Sequence, residues 1–207
     1  MNLRSKLIDL FRHGAPGLTG VYLGHTDCPL SVDGRLAAAG AVSVQNHWDL
    51  IVSSPLMRCF ETAQWLADRT GKELLVLPEL KEFNFGSWDG RSFEEVYASD
   101  KKQADRFWAD PQNAPPPGGE TIEEFRLRVN KGLKELLDHP AVNPLVITHG
   151  GVIRMLTAEI LGVDVERWSQ IKVDYSHFTQ LRFDYDGEQC WPQLISSNIK
   201  HPQTSPA

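Results

Sequence analysis

Short apolar runs alternate with amphipathic segments along most of this chain. The runs at 7–11, 50–53, 74–77 and 145–148 are each four or five residues long, which is typical of buried strands. Between them, apolar residues recur every three or four positions, the period of a helix with one buried face. The alternation predicts an α/β fold in which one domain, spanning residues 1–207, is a three-layer sandwich. Its mostly parallel sheet carries helices on both faces.

Capping boxes mark the starts of two of the predicted helices. Ser92 with Glu95, and Thr121 with Glu124, have the spacing at which a hydroxyl and a carboxylate satisfy each other's backbone N–H groups. Each pair therefore predicts that a helix begins at the next residue. The second of these helices has an apolar face made of Ile122, Phe125, Val129, Leu133 and Leu136.

Three further helices are predicted from single end signals. Ser31 is expected to cap a helix that runs through LAAAGAV. Ser54 followed by Pro55 matches the N-cap and first position of a helix that ends near Gly71. The last helix follows a His-Gly-Gly sequence and ends at Gly162.

The remaining segments are predicted to be loops, a hairpin and a tail. Residues 80–91 are rich in aromatic residues and glycine, and the proline-rich segment 113–120 is expected to be a lid or crossover loop. Asp186 and Gly187 lie between two strand-like runs and indicate a hairpin. The tail, about 200–207, is expected to be disordered.

Composition narrows the classes of function. The 207 residues are 41% hydrophobic and 23% charged, with a net charge of −6 and no basic stripe, so a nucleic-acid partner is not expected. No apolar run approaches the roughly 20 residues of a membrane span, and the apolar run near the amino terminus is too short for a signal peptide. We therefore expect a cytoplasmic protein. The cysteines are odd in number and lack CxxC spacing, which argues against a disulfide framework or structural zinc: Cys28, Cys59 and Cys190.

Three segments are predicted to meet at one edge of the sheet. In open α/β sheets, ligands bind beyond the carboxyl ends of the strands. Arg12-His13-Gly14, Ser53–Arg58 and Thr148–Gly151 each follow a predicted central strand. Together they bring two arginines and two histidines to that edge.

These residue types fit the chemistry of a phosphate ester. Arg12 and Arg58 can donate bidentate hydrogen bonds to a phosphate dianion. Gly14, Gly150 and Gly151 would let the backbone approach an oxyanion closely. A neutral imidazole is a good nucleophile near pH 7, and nearby arginines would keep it unprotonated.

A leaving oxygen also needs a proton, which a carboxylic acid could supply. Glu82, in the loop after the third strand, is the candidate, although spacing alone does not choose it over Glu79. His25 has no partner at metal-ligand spacing, and no cluster of carboxylates, cysteines or histidines is apparent. We therefore expect neither a metal nor a cofactor.

Five ordered motifs make the chain resemble the histidine phosphatase superfamily, in its phosphoglycerate mutase-like branch. They are LFRHG, YLGHTDCPLSVDGR, SSPLMRCFETA, LKEFNFGSWDG, and PPGGET followed by VITHGGVIR. The resemblance covers nearly the whole chain and implies that His13 becomes phosphorylated and that Glu82 donates the proton. It also implies a set of phosphate- and substrate-binding residues: Arg12, Gly14, Gly24, His25, Arg58, His149 and Gly150.

The resemblance also bears on the substrate. The loop EFNFGSWDG (the acid loop) resembles the corresponding loop of the phosphatases. The short chain with its RHG-Ala-Pro start is most similar to the alpha-ribazole phosphatase branch. This similarity implies that the substrate is a small phosphorylated metabolite, with alpha-ribazole 5′-phosphate as the first candidate. A phosphoglycerate mutase, a broad-specificity sugar or nucleotide phosphatase and a non-catalytic phospholigand-binding protein are the alternatives. Whether the chain forms a homodimer stays open.

Overall fold

A single six-stranded sheet organises the molecule. The computed structural model describes residues 4–43, 47–186 and 188–202. The strands follow the order β3-β2-β4-β1-β5-β6 in the sheet, in which β1 to β4 are mutually parallel and β5 and β6 are antiparallel additions at one edge. Their bounds are Arg4–Arg12 (β1), Leu50–Ser53 (β2), Leu74–Val76 (β3), Pro144–Thr148 (β4), Phe178–Tyr185 (β5) and Cys190–Ile199 (β6).

In the described part of the chain, five α-helices cover the two faces of this sheet, which confirms the predicted α/β fold. They are Val32–Ser43 (α1), Met57–Thr70 (α2), Phe93–Ala109 (α3), Ile122–Asp138 (α4) and Gly150–Leu161 (α5). Short 3₁₀ turns lie at Pro78–Leu80, Gly86–Trp88 and Val165–Gln170. No helix of the described residues has the length and apolar character needed to cross a bilayer.

Most of the predicted helix ends are confirmed. Both capping boxes are present, with the hydroxyl of each N-cap residue accepting from the third helical N–H and the glutamate accepting in return. Ser31 caps α1, because its hydroxyl accepts from the N–H of Gly34 at 3.0 Å. Gly71 and Gly162 end α2 and α5 with left-handed φ values of 68° and 64°.

The predicted start of α2 is wrong. The helix begins at Met57 with Leu56 in the N-cap position, and the carboxylate of Asp27 accepts from the N–H of Met57 at 2.8 Å. Ser54 and Pro55 stay outside the helix because the hydroxyl of Ser54 lies 2.8 Å from His149, a long-range contact that a local pattern does not show. The third strand also ends one residue early, at Val76, because Leu77 leads into a 3₁₀ turn.

Two apolar layers form because alternate strand residues point to opposite faces of the sheet. Val52 and Val146 face α4 and α5 on one side, whereas Ile51 and Ile147 face α1 and α2 on the other. All four are at most 1% exposed. Burying each such side chain contributes about 1.5–3 kcal/mol, which holds the strand ends in fixed register.

The sheet order positions three loops side by side. Strand β4 lies between β1 and β2, so the segments that follow these strands meet at one edge. The antiparallel pairing of β5 and β6 confirms the predicted hairpin, although Gly187 lies outside the described residues. Of the tail predicted to be disordered, residues 203–207 lie outside them as well.

Candidate active site

His13 follows β1 and is almost completely buried, with 3% of its surface exposed. Its Nδ1 lies 2.7 Å from the carbonyl oxygen of Gly14. A carbonyl oxygen only accepts, so Nδ1 carries the hydrogen and the lone pair is left on Nε2. Burial, reinforced by the positive charges of Arg58 and Arg12, holds the pKa of His13 well below its usual 6.5. The ring is therefore neutral at pH 7 and its orientation is fixed by this hydrogen bond.

Arg12 is fixed by the loop that precedes β5. Its guanidinium carbon lies 3.8 Å from the ring centre of Tyr175, and its Nη1 donates to the carbonyl of Val173. Ser176, with a left-handed φ of 56°, donates its N–H to the Arg12 carbonyl at 3.0 Å, and this turn places Tyr175 over the guanidinium. Nε of Arg12 is buried and has no hydrogen-bond partner in the described part of the chain, which leaves it to an anion.

Arg58 is completely buried in the first turn of α2, as its place in the sequence predicts. Backbone carbonyls hold its guanidinium: Nη1 donates to Thr26 at 3.0 Å and Nη2 donates to Gly24 at 2.7 Å. Its Nε, like that of Arg12, has no partner among the described residues. Carbonyls orient the group without cancelling its charge, so the full cation remains for a phosphate.

His149 lies directly before α5 and is completely buried. Its ring meets that of His13 edge-on, with 5.2 Å between the ring centres. A hydrogen bond joins Nε2 to the hydroxyl of Ser54 at 2.8 Å, and the thiol of Cys59 lies 3.5 Å away. Burial, with Arg58, His13 and Arg12 nearby, holds the pKa of His149 well below its usual value.

The structure separates the two glutamates that spacing left open. Both carboxylate oxygens of Glu82 accept from the N–H of Gly151 at 3.1 Å, at the amino end of α5. Glu79 instead pairs with Lys131 of α4 at 2.6 Å. Glu82 thus lies among the residues around His13, whereas Glu79 is engaged elsewhere.

Two glycines permit this arrangement of charged groups. A Cβ on Gly151 would lie 2.2 Å from a carboxylate oxygen of Glu82, and a Cβ on Gly150 would lie 3.3 Å from the guanidinium of Arg12. The predicted role of Gly14 is different in the structure, since a Cβ there would lie 2.1 Å from the carbonyl of Gly34. The close approach at Gly14 joins the loop to α1.

Gly24 and His25 belong to a loop that supports Arg58. The carboxylate of Asp89 accepts from the N–H groups of Gly24, His25 and Thr26, at 3.2, 2.7 and 2.8 Å. The loop therefore turns its carbonyls towards Arg58. Nε2 of His25 is buried and has no hydrogen-bond partner in the described part of the chain.

An aromatic cavity of about 150 Å³ adjoins the acid loop, and Gly151, which contacts Glu82, forms part of its wall. Six aromatic side chains line it: Phe83, Phe85, Phe107, Trp108, Phe125 and Trp168. Such a lining suits the apolar or aromatic part of an organic ligand.

Sequence reasoning missed four residues that build this site: Ser54, Asp89, Arg154 and Tyr175. Burial lowers the pKa of Arg12, and the nearby positive charge of Arg154 adds to this effect. Arg154 itself donates to the carbonyl of Ile171 at 3.0 Å. A serine before a proline signalled a cap, and the other three carry no local signal. Within the described residues, no three His, Cys, Asp or Glu side chains gather as metal ligands.

Comparisons with known proteins agree with this geometry. The sequence model of the histidine phosphatase superfamily (branch 1) matches residues 8–192. The adenosylcobalamin/alpha-ribazole phosphatase of Escherichia coli is 29% identical over 170 residues, which cover 80% of this chain and 84% of that protein. The glucosyl-3-phosphoglycerate phosphatase of Mycobacterium tuberculosis is 30% identical over 179 residues, 80% of each chain.

A solved structure extends the similarity to the fold. The alpha-ribazole phosphatase from Shigella flexneri superposes with a TM-score of 0.84 at 25% identity, covering 97% of this chain and all of that one. The predicted phosphoglycerate mutase-like architecture is thereby confirmed.

Proposed function

The chain belongs to the histidine phosphatase superfamily (branch 1) and is a phosphoric monoester hydrolase, and we propose that it works through a phosphohistidine on His13. The observation that carries this mechanism is the hydrogen bond from Nδ1 of His13 to Gly14, which leaves Nε2 free between two arginines. Nε2 attacks phosphorus while the ester oxygen departs. Water then attacks the phosphohistidine and releases inorganic phosphate.

The other site residues take complementary roles in this proposal. Arg12, Arg58 and His149 hold the equatorial oxygens and balance their developing charge. Glu82 gives its proton to the leaving oxygen and later accepts one from the attacking water. The leaving group therefore departs as a neutral alcohol.

We propose alpha-ribazole 5′-phosphate as the substrate. The support is the aromatic cavity beside Gly151, because alpha-ribazole carries a planar aromatic base that aromatic side chains can stack against. The similar phosphatases from Escherichia coli and Shigella flexneri are named for the same compound. Glucosyl-3-phosphoglycerate is the second candidate, since the mycobacterial relative named for it covers as much of this chain.

A kinetic comparison tests both levels of the proposal. The purified protein is assayed with alpha-ribazole 5′-phosphate, glucosyl-3-phosphoglycerate and 3-phosphoglycerate, and released phosphate is measured. We expect the highest kcat/KM for the first compound. Transfer of phosphate between the hydroxyls of 3-phosphoglycerate without release would instead identify a mutase. A higher kcat/KM for the glucosyl compound would overturn the substrate proposal and leave the phosphohistidine mechanism intact.

A further inference from the structure

One side chain of α4 binds the backbone of residues 79–84, the segment that contains Glu82. Nη1 of Arg128 donates to the carbonyls of Glu79 and Lys81 at 2.7 and 3.0 Å. Nη2 donates to the carbonyl of Glu82 itself at 3.2 Å. One guanidinium thus binds three backbone carbonyls of the segment that carries Glu82.

Glu120, at the end of the proline-rich segment, completes this contact. Its carboxylate binds Arg128 through two bonds, at 2.7 Å to Nη2 and 3.2 Å to Nε. It also accepts from the N–H of Asn84 at 2.7 Å, and its own N–H donates to the Asn84 carbonyl at 3.1 Å. The two side chains are only 22% and 12% exposed, so these charge-assisted bonds are partly shielded from water.

We infer that Arg128 and Glu120 are positioning residues, which set where Glu82 presents its carboxyl group to the leaving oxygen. This inference rests on the proposed role of Glu82. The side chain of Glu82 is fixed at one end by Gly151, and the latch (Arg128 with Glu120) fixes the backbone at the other. Both anchors are needed, because a shift of about 1 Å in a reacting group can cost as much as roughly 100-fold in rate.

The latch can be tested by a ratio of two substrates. Glycerol 2-phosphate has a leaving group that needs a proton, whereas p-nitrophenyl phosphate has one that scarcely does. We compare kcat/KM, which ends with departure of the leaving group, so slow hydrolysis of the phosphohistidine does not mask the effect. Arg128→Gln should lower kcat/KM on glycerol 2-phosphate by about 10- to 100-fold and on p-nitrophenyl phosphate far less.

Two comparisons separate positioning from general damage. Arg126→Gln, on the same helix and paired with the exposed Glu123, should leave both substrates unchanged. In a Glu82→Gln background, Arg128→Gln should leave the ratio of the two substrates unaltered, because no acid remains to be positioned. An equal loss on both substrates in the single variant would mean that Arg128 only supports the fold, and would overturn the inference.

The failure of the latch and the failure of the acid have different signatures. If Glu82→Gln does not change the ratio, the proposed acid is wrong. If Glu82→Gln changes the ratio but Arg128→Gln does not, only the latch is wrong. Should Arg128→Gln not fold, as judged by thermal unfolding, Glu120→Gln replaces it, since the amide keeps an acceptor for Asn84. An unchanged ratio in a folded Glu120→Gln protein would also overturn the inference.

Discussion

The two ends of the candidate active site are built in different ways. At the phosphate end, His13 and His149 come directly after strands β1 and β4, and Arg58 lies in the first turn of the helix that follows β2. Backbone carbonyls fix His13 and Arg58. At the leaving-group end, the aromatic cavity is assembled from the acid loop, α3, α4 and the 3₁₀ turn at Val165–Gln170. At the first end His13, Arg58 and His149 are at most 3% exposed, whereas the second end has exposed aromatic side chains such as Trp108.

This contrast separates chemistry from selectivity. Groups at strand ends are held in fixed positions by the sheet, which suits residues that must contact a reacting atom. Side chains contributed by several separate segments outside the sheet can change without disturbing that sheet. Changes at the phosphate end should therefore affect every substrate, and changes at the other end should affect substrates differently.

The largest expected effect is at the nucleophile. His13→Ala should abolish turnover of phosphate esters, because it removes the imidazole that is proposed to receive the phosphoryl group. Quenching the wild-type protein during turnover should trap acid-labile, base-stable phosphate on His13. His201→Ala, an exposed histidine far along the chain, is the control and should retain full activity. Turnover by a folded His13→Ala protein would remove the phosphohistidine from the mechanism.

Glu82→Gln should have the next largest effect, and it sharpens the division between the two ends. Losing a general acid typically costs about 10²–10⁴-fold, so kcat/KM on an alkyl phosphate should fall by that factor. The loss on p-nitrophenyl phosphate should be far smaller, which links Glu82 to the leaving group. Glu79→Gln should change little, because Glu79 pairs with Lys131. If it proves the more damaging variant, the acid is misassigned.

Acid should weaken the phosphate end through its two neutral histidines. Burial lowers the pKa of both His13 and His149, so the unfolded chain binds more protons than the folded one as pH falls through 6.5. The free energy of unfolding should keep its full value above pH 6.5. Below that pH it should decrease, by up to about 2 kcal/mol per histidine at pH 5. Denaturant unfolding at pH 7.5 and 5 measures this, and His13→Asn should reduce the decline. An equal decline in the variant would mean that the buried ring of His13 does not cause it.

A smaller effect is expected at the leaving-group end. Trp108→Ala should raise KM for alpha-ribazole 5′-phosphate by about 2- to 10-fold, the value of one aromatic contact. KM for glycerol 2-phosphate, which has no ring to stack, should stay unchanged. Trp65→Ala, on the outer surface of α2, is the matched control. A general rise in KM for both substrates would break the proposed division of the site.

The smallest expected effect is that of chelation. The proposed mechanism neutralises the phosphate with Arg12 and Arg58, so treatment with a chelator should leave kcat/KM on both substrates unchanged. Released phosphate measured before and after treatment tests this. Loss of activity that one divalent ion restores would assign the charge at the phosphate end to a metal instead.

The two ends also differ in how far the sequence predicts them. The phosphate end is predictable from the local sequence. His13 and His149 directly follow buried strands, and Arg58 lies in the first turn of the helix after β2, so the strand positions place all three at one edge of the sheet. Tyr175 and Arg128 act through contacts between segments far apart in the chain. The residues next to them in the sequence do not indicate which segment they contact. Ser54 shows the limit most directly, since its local pattern favours a helix cap and its actual partner is His149.

Lys6 lies at the opposite end of β1 from His13, with 2% of its surface exposed. Its ammonium group donates to three carbonyls at the carboxyl end of α4, those of Leu136, Leu137 and His139. These bonds seal the amine from solvent as long as the end of α4 stays closed, and burial lowers its pKa. An acylating reagent should therefore label this lysine only when the end of α4 opens, which makes its labelling rate a reporter of local opening in the helix that carries Arg128.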